Sequence, residues 1–269
     1  MCPKKSKHNH IPKNFLRVQK LTTAFLGPMH LRSVNKIEID ITYRCNLSCS
    51  NCNRSCPQAP SDNQMTVAQI RKFVRESIEN HVGWESIRLL GGEPTLHPDL
   101  LTIISILSDY KKKVLPDLYL AITTNGSGDA VKNVLNTLNN VITIENTNKE
   151  GKGYNFHIDF NNAPADYFWN AFVDYSNACW IPRECGIGLT PYGYYCCTVA
   201  GSIDRVFGFN IGRKVLPSKD DSMKDQMRIF CRLCGHFFGR NHLIKRKISR
   251  VWKEAYAKYN VRKPSLIPY

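Results

Sequence analysis

The sequence predicts an α/β fold built on a parallel sheet, and three observations carry that prediction. Short runs with apolar residues at every second position alternate with stretches of helical periodicity, and the chemically unusual residues follow the strands rather than the helices. Strands separated by helices need right-handed crossovers, which give a parallel sheet able to curl into a full or partial barrel.

The elements follow in order. Ile37-Glu38-Ile39-Asp40-Ile41 alternates as a half-buried strand, and a cysteine loop begins just after it. Thr66 and Gln69 form a capping-box pair ahead of a helical face made by Ile70, Phe73, Val74 and Ser77 to Ile78. Ser86 to Leu90 is a short apolar strand. Pro98 suits a first helical turn, and Leu100, Ile103, Ile104 and Leu107 mark an i, i+3, i+4, i+7 stripe. Leu118 to Ile122 is the next strand, and Asp129 caps a helix carrying Val131, Val134, Leu135 and Leu138. Val141 to Ile144 and Phe156 to Phe160 read as two further strands. After the strands come the Cys45 loop, Gly91-Gly92-Glu93-Pro94, Thr123-Thr124-Asn125-Gly126, Asn146-Thr147-Asn148 and Asn161-Asn162-Ala163-Pro164. Carboxyl ends of strands are where such sheets place their active sites. Turn punctuation alone also puts Gly, Asn and Pro at such places, so the weight lies in their coincidence with the cysteines.

The 269 residues suffice for one sizeable core with a smaller appendage. Eleven cysteines without an apolar leader behind Met1-Cys2-Pro3-Lys4 point to metal thiolates rather than a disulfide framework, and to a reducing cytoplasm. No apolar run approaches the roughly 18 residues that a membrane span needs. The net charge of +15 sits at the ends: residues 1 to 36 hold eight Lys or Arg and no acid, and residues 240 to 269 hold nine against Glu254 alone. Such ends suit nucleic acid, an anionic membrane surface or a phosphorylated substrate, or are simply solvated.

Cys45, Cys49 and Cys52 supply three thiolates from one short loop with C-x3-C-x2-C spacing. A [4Fe-4S] cluster normally takes four cysteine ligands, so three leave one iron open to a small molecule. The competing reading is a structural zinc site closed by Cys56, although closed sites more often use two separated cysteine pairs.

The cysteine triplet after a strand, with Gly91-Gly92-Glu93-Pro94 after the next, resembles the radical S-adenosylmethionine (SAM) superfamily over about residues 37 to 163. The resemblance implies a partial (β/α)6 TIM-like barrel in which Cys45, Cys49 and Cys52 hold a [4Fe-4S] cluster and SAM chelates the fourth iron. It implies that Gly91 and Gly92 let the backbone approach the methionine end of SAM, with Glu93 near. Thr124 and Asn125 would approach the adenosine, and Asn146 the ribose. Relatives usually carry an aromatic residue just before the third cysteine, where this chain has Asn51.

Cys179, Cys185, Cys196, Cys197 and the pair Cys231-Arg232-Leu233-Cys234 form a second group, with Thr190-Pro191-Tyr192-Gly193 as a hairpin turn between. This arrangement resembles the Twitch domain, a shortened SPASM domain. The resemblance implies a second [4Fe-4S] cluster held by Cys179 or Cys185, then Cys197, Cys231 and Cys234. Zinc on Cys231, Cys234 and His236 is the alternative.

The expected division is therefore a basic amino-terminal extension over 1–36, a radical SAM partial barrel over 37–175, a small cysteine-rich auxiliary cluster domain over 176–239 and a basic tail over 240–269. The expected function is reductive SAM cleavage and hydrogen abstraction from a small polar, or anionic, substrate, fed by a reductase or flavodoxin-type electron donor. A peptide or protein maturase is the alternative enzyme. A zinc-knuckle nucleic-acid binder is the alternative of another class.

Overall fold

A computed structural model of the chain describes residues 16–28, 31–149, 160–177, 179–238 and 248–269. A short helix, α1 (Lys20–Leu26), precedes β1 (Lys36–Thr42), α2 (Val67–Glu79), β2 (Ser86–Gly91), α3 (Leu100–Val114), β3 (Tyr119–Thr124), α4 (Asp129–Leu138) and β4 (Thr143–Asn146). There follow α5 (Ile181–Glu184), β5 (Ile187–Thr190), β6 (Gly193–Tyr195), α6 (Thr198–Phe207), α7 (Lys224–Phe230) and α8 (Arg250–Val261). The strands make one mixed sheet in the order β4-β3-β2-β1-β5-β6. The pairs among β1 to β4 and the β1–β5 pair are parallel, and β6 returns antiparallel to β5.

The alternating strands and helices of residues 37 to 146 are present as expected. The capping box at α2 forms, with Thr66 Oγ1 accepting from Gln69 N at 3.2 Å and Gln69 Oε1 accepting from Thr66 N at 2.9 Å. All four residues of the α3 stripe are buried. Asp129 lies inside the first turn of α4 rather than capping it, because Gly128 takes the cap position. The fourth strand starts two residues later than expected, at Thr143. The expected strand at Phe156 to Phe160 and the first fifteen residues of the basic extension lie largely or wholly outside the described residues, as do residues 240–247 of the tail.

The alternation within strands sorts the sheet into two faces. Ile37, Ile39, Ile41, Ile87, Leu89, Leu120 and Ile122 turn towards α2 and α3 and make the core with Ile70, Phe73, Ile103 and Leu107. The other face is polar: Glu38 stands beside Arg88 in register, and Thr123 beside Glu145. The Arg88 Nε donates to Glu145 Oε1 at 3.0 Å, and Tyr119 Oη and Thr123 Oγ1 each donate to that carboxylate at 2.9 Å. Burial alone would raise the Glu145 carboxyl, but the hydrogen bond and charge of Arg88 act against it and help to hold it below its ordinary value.

The hairpin expected between Cys185 and Cys197 is β5–β6, turned at Pro191-Tyr192. Its first strand extends the sheet past β1, so the sheet runs across the boundary expected near residue 175. Among the described residues no helix is long and apolar enough to cross a membrane. The basic tail contains α8, whose Trp252, Ala255, Tyr256 and Tyr259 are buried, so its charged residues occupy only one side.

Candidate active site

The carboxyl ends of β1 to β4 converge on the Cys45 loop. The end of β2 docks on the chain entering that loop: Gly92 N donates to Thr42 O at 2.7 Å, and Glu93 N donates to Arg44 O at 2.8 Å. The approach leaves no room for side chains. A Cβ on Gly92 would stand 2.7 Å from the Arg44 carbonyl carbon and 2.9 Å from Tyr43 O, nearer still to Arg44 O, and Gly91 has a φ of +139°. The glycine pair thus packs strand end against loop.

Glu93 is fully buried. Its carboxylate accepts from Thr95 N at 3.2 Å, Thr95 Oγ1 at 2.8 Å, Thr124 Oγ1 at 2.8 Å and Asn125 N at 2.8 Å. It therefore braces the segment after β2 against the end of β3. Asn125 continues the chain of contacts, its Nδ2 donating to Asn46 Oδ1 at 2.8 Å and lying 3.9 Å from Cys45 Sγ. Asn46 Nδ2 in turn donates to Ser127 O at 2.7 Å. Thr147 N donates to Thr124 O at 3.0 Å, which brings in the end of β4. Of the residues expected near the nucleotide, Thr124 and Asn125 are buried beside the loop. Asn146 is exposed at the end of β4, where its Oδ1 accepts from Asn148 N at 2.8 Å.

The three loop thiols differ. Burial pushes the Cys45 thiol up to about 11 and raises that of Cys49. Cys52 is brought down to about 6 because the Cys56 thiol donates to it, supported by the amides of Cys56 and Arg54 and by the Arg54 charge. Cys56 is thereby accounted for as the buried, protonated partner of Cys52. The donor set suits a soft metal centre: three thiols come from one loop, and hydrogen bonds already favour thiolate at one of them.

In the second group, Cys179, Cys197, Cys231 and Cys234 line one small apolar cavity together with Cys196 and His236. Burial pushes Cys179 up to about 12 and raises Cys231 and Cys234. Cys197 is lowered, first by a hydrogen bond from the Cys196 thiol. Of the two alternatives for the first thiolate, Cys179 faces this cavity, and Cys185 is not among its lining residues. His236 Nδ1 lies 3.2 Å from Cys234 Sγ, and burial brings its imidazole down to about 4. Among the described residues no group of three or more His, Cys, Asp or Glu side chains closes around a point where a single metal ion would sit.

Several contributors escaped the sequence reading. Arg205, 2 % exposed, donates to Arg54 O at 2.7 Å and Ala59 O at 2.6 Å, and its guanidinium lies 4.3 Å from the centre of the Tyr43 ring, fixing the chain after Cys52. Asp40 and Arg54 pair beneath the loop. Tyr256 of α8 shares a 2.9 Å hydrogen bond with Ser55. The alternation in β1 held a signal for Asp40, since an acid opposite Ile residues marks a polar inner face. Nothing in sequence spacing pointed to Arg205.

Residues 39–144 match the radical SAM superfamily. Among curated proteins, the chain is 40% identical over 97 residues to a GTP 3',8-cyclase of Campylobacter jejuni subsp. doylei, which covers 35% of this chain and 28% of that protein. A GTP 3',8-cyclase of Aliarcobacter butzleri is 37% identical over 97 residues, with the same coverage. The chain thus spans less than a third of the length of these relatives. Among solved structures, BtrN in complex with AdoMet and 2-DOIA is 13% identical, with a TM-score of 0.48 over 81% of this chain and 98% of that one. Streptococcus suis SuiB bound to S-adenosylmethionine is 19% identical, with a TM-score of 0.28 over 49% of this chain and 28% of that one.

Proposed function

We propose that this chain, a radical SAM superfamily enzyme, reductively cleaves SAM at the Cys45 loop and abstracts hydrogen from a small polar substrate, in an oxidation or rearrangement. Radical SAM enzymes use a [4Fe-4S] cluster and SAM, which together would supply reductive cleavage of a carbon–sulfur bond and the power to abstract hydrogen. In this reading Cys45, Cys49 and Cys52 hold the cluster, and the sheet is the family's partial barrel. The observation that carries it is the convergence of three thiols from one loop with the segments after β2 and β3, tied by Glu93 and Asn125.

The chain's own residues would do the positioning. Glu93 keeps the β2 and β3 ends in place through four donors, so that Gly91, Gly92, Thr124 and Asn125 form a preorganised wall for SAM. Asn146 would line its ribose end. The polar face of the sheet, with Glu38, Arg88, Thr123 and Glu145, suits a substrate bearing hydroxyl groups. Within the segment that follows β4, whose β5 and β6 belong to the same sheet, Cys179, Cys197, Cys231 and Cys234 would play the part of a Twitch-like auxiliary site and hold a second [4Fe-4S] cluster able to serve as an electron acceptor.

Iron and sulfide analysis of protein prepared without oxygen, combined with an assay of 5'-deoxyadenosine release on reduction, tests the reading. About eight irons per chain support both groups, and about four remove the second. Zinc in place of iron, without SAM cleavage, would end the proposal. Replacing Cys45, Cys49 or Cys52 by Ala should abolish cleavage.

A further inference from the structure

Beneath the Cys45 loop lies a buried set of charges that neither cysteine group needs for its ligands. Asp40 is fully buried on β1, and Arg54 is 6 % exposed two residues after Cys52. Arg54 Nε lies 3.2 Å from both Asp40 oxygens, and its Nη2 lies 3.2 Å from Asp40 Oδ1. The same Nη2 donates to Thr198 Oγ1 at 2.7 Å and stands 3.6 Å from Glu38 Oε2. Thr198 Oγ1 completes the set by donating to Glu38 Oε2 at 2.7 Å. Two carboxylates face one guanidinium, and every member is hydrogen-bonded.

Such a set is expensive to bury, and an apolar cluster of equal volume would hold the fold at least as well. Its place explains why a cation is used. The Arg54 amide donates to Cys52 Sγ, so the residue belongs to the first cysteine loop. Thr198, which its side chain grips, is the first residue of α6 and follows Cys197 directly. One side chain therefore joins the loop that ends in Cys52 to the helix that starts after Cys197, with β1 as the anchor. The charge also stands close to both sides: the Arg54 backbone is in the loop that carries Cys52, and its Nη2 lies 2.7 Å from the hydroxyl of Thr198, the neighbour of Cys197.

We propose that Arg54 serves both cysteine groups at once: it is a positioning residue that fixes the Cys52 loop against the Cys197 end of α6, and its buried charge makes the clusters held on either side easier to reduce. The inference rests on the reading that each group holds an iron-sulfur cluster. Without Arg54 the carboxylates of Asp40 and Glu38 would stand unopposed beside the clusters and disfavour an added electron; the guanidinium offsets them, and at low local dielectric that effect is weakly screened.

The test uses anaerobically reconstituted full-length protein. Arg54→Met removes the charge, Arg54→Lys keeps it without the planar fork, and Thr198→Val cuts the tether to α6 while leaving the cation. Iron and sulfide are counted first, and the midpoint potential of each cluster is then read by redox titration followed by electron paramagnetic resonance. Arg54→Met should load iron and disfavour reduction of both clusters at least tenfold, a fall of 59 mV or more for one electron. Arg54→Lys should recover most of that fall, and Thr198→Val should shift the second cluster less than Arg54→Met does. Unchanged potentials in Arg54→Met overturn the inference, as does an Arg54→Lys protein as hard to reduce as Arg54→Met. If Arg54→Met fails to fold, the Lys and Val variants still decide between charge and scaffold. A parent protein with only about four irons defeats the second cluster and with it the shared role; a shift at the first cluster alone likewise overturns the shared role, while the reading of the Cys45 loop as the SAM-cleaving site survives it.

Discussion

Gly92→Ala separates two reasons for the glycine pair. If Gly92 serves only to admit SAM, an added methyl weakens cofactor binding and leaves the metal-free protein as stable as before. The geometry predicts otherwise, because the new Cβ would stand 2.7 Å from the Arg44 carbonyl carbon and 2.9 Å from Tyr43 O, inside van der Waals contact with a backbone that cannot rotate away. Relief requires the end of β2 to lift off the loop, which endangers the bonds from Gly92 N to Thr42 O and from Glu93 N to Arg44 O. Losing both at about 1 kcal/mol each, with overpacking strain of about 1–3 kcal/mol, gives a destabilisation of about 3–5 kcal/mol. That is a large fraction of the roughly 5–15 kcal/mol typical of a folded domain. Urea unfolding of metal-free parent and variant measures it directly. A shift below about 1 kcal/mol, together with lost SAM binding in the reconstituted protein, would refute the packing argument and return the glycine to a ligand role.

Glu93→Gln should cost about 1–3 kcal/mol in the same assay, since one amide group must face hydroxyl or amide donors where a carboxylate oxygen accepted them; an unaltered midpoint would show that the brace is dispensable. Thr66→Ala should cost about 1 kcal/mol, and Gln69→Ala more, because Gln69 Nε2 also donates to Pro191 O at 3.0 Å and Tyr269 O at 3.2 Å; equal losses would contradict that extra anchoring. Burial raises Asp40 from 3.8 to about 6, so the fold favours its protonated form. Its stabilising contribution is complete below about pH 4 and disappears as pH rises through about 6. The stability of the parent minus that of Asp40→Asn should therefore fall by about 3 kcal/mol over that window, and a difference independent of pH would rule the shift out. Cys56→Ala should retain the first group's iron and its SAM cleavage; loss of both would identify Cys56 as a ligand.

Residues 37 to 146 were legible because each signal there is local. The alternation of Ile37 to Ile41, the Thr66–Gln69 capping pair and the stripe from Leu100 to Leu107 each predict an element from neighbouring residues alone. The placement of the site was legible for a related reason: a parallel sheet gathers strand ends, so the Cys45, Glu93 and Asn125 segments had to meet. What stayed hidden depends on contacts between distant segments. Arg54 finds Thr198, and Arg205 finds the backbone of Arg54 and Ala59, across well over a hundred residues. Glu93 looked like a cofactor contact from its motif, yet its oxygens are taken by four donors of the chain. The tail was read from charge, which obscured a visible pattern: Trp252, Ala255, Tyr256 and Tyr259 lie three, four and seven apart and seat α8 against the core.

The pairing of β5 with β1 turns the spacing between the two cysteine groups into a matter of strand register. Gly188 lies opposite Glu38, and a one-residue slip would advance the later segment by about 3.3 Å and invert every side chain on β5. An insertion within this ladder would have to be taken up by a bulge, or it would carry one cysteine group away from the other. The sheet thus acts as a ruler, and any relative that keeps both groups while changing substrate is expected to vary its rim and leave the length of this strand alone.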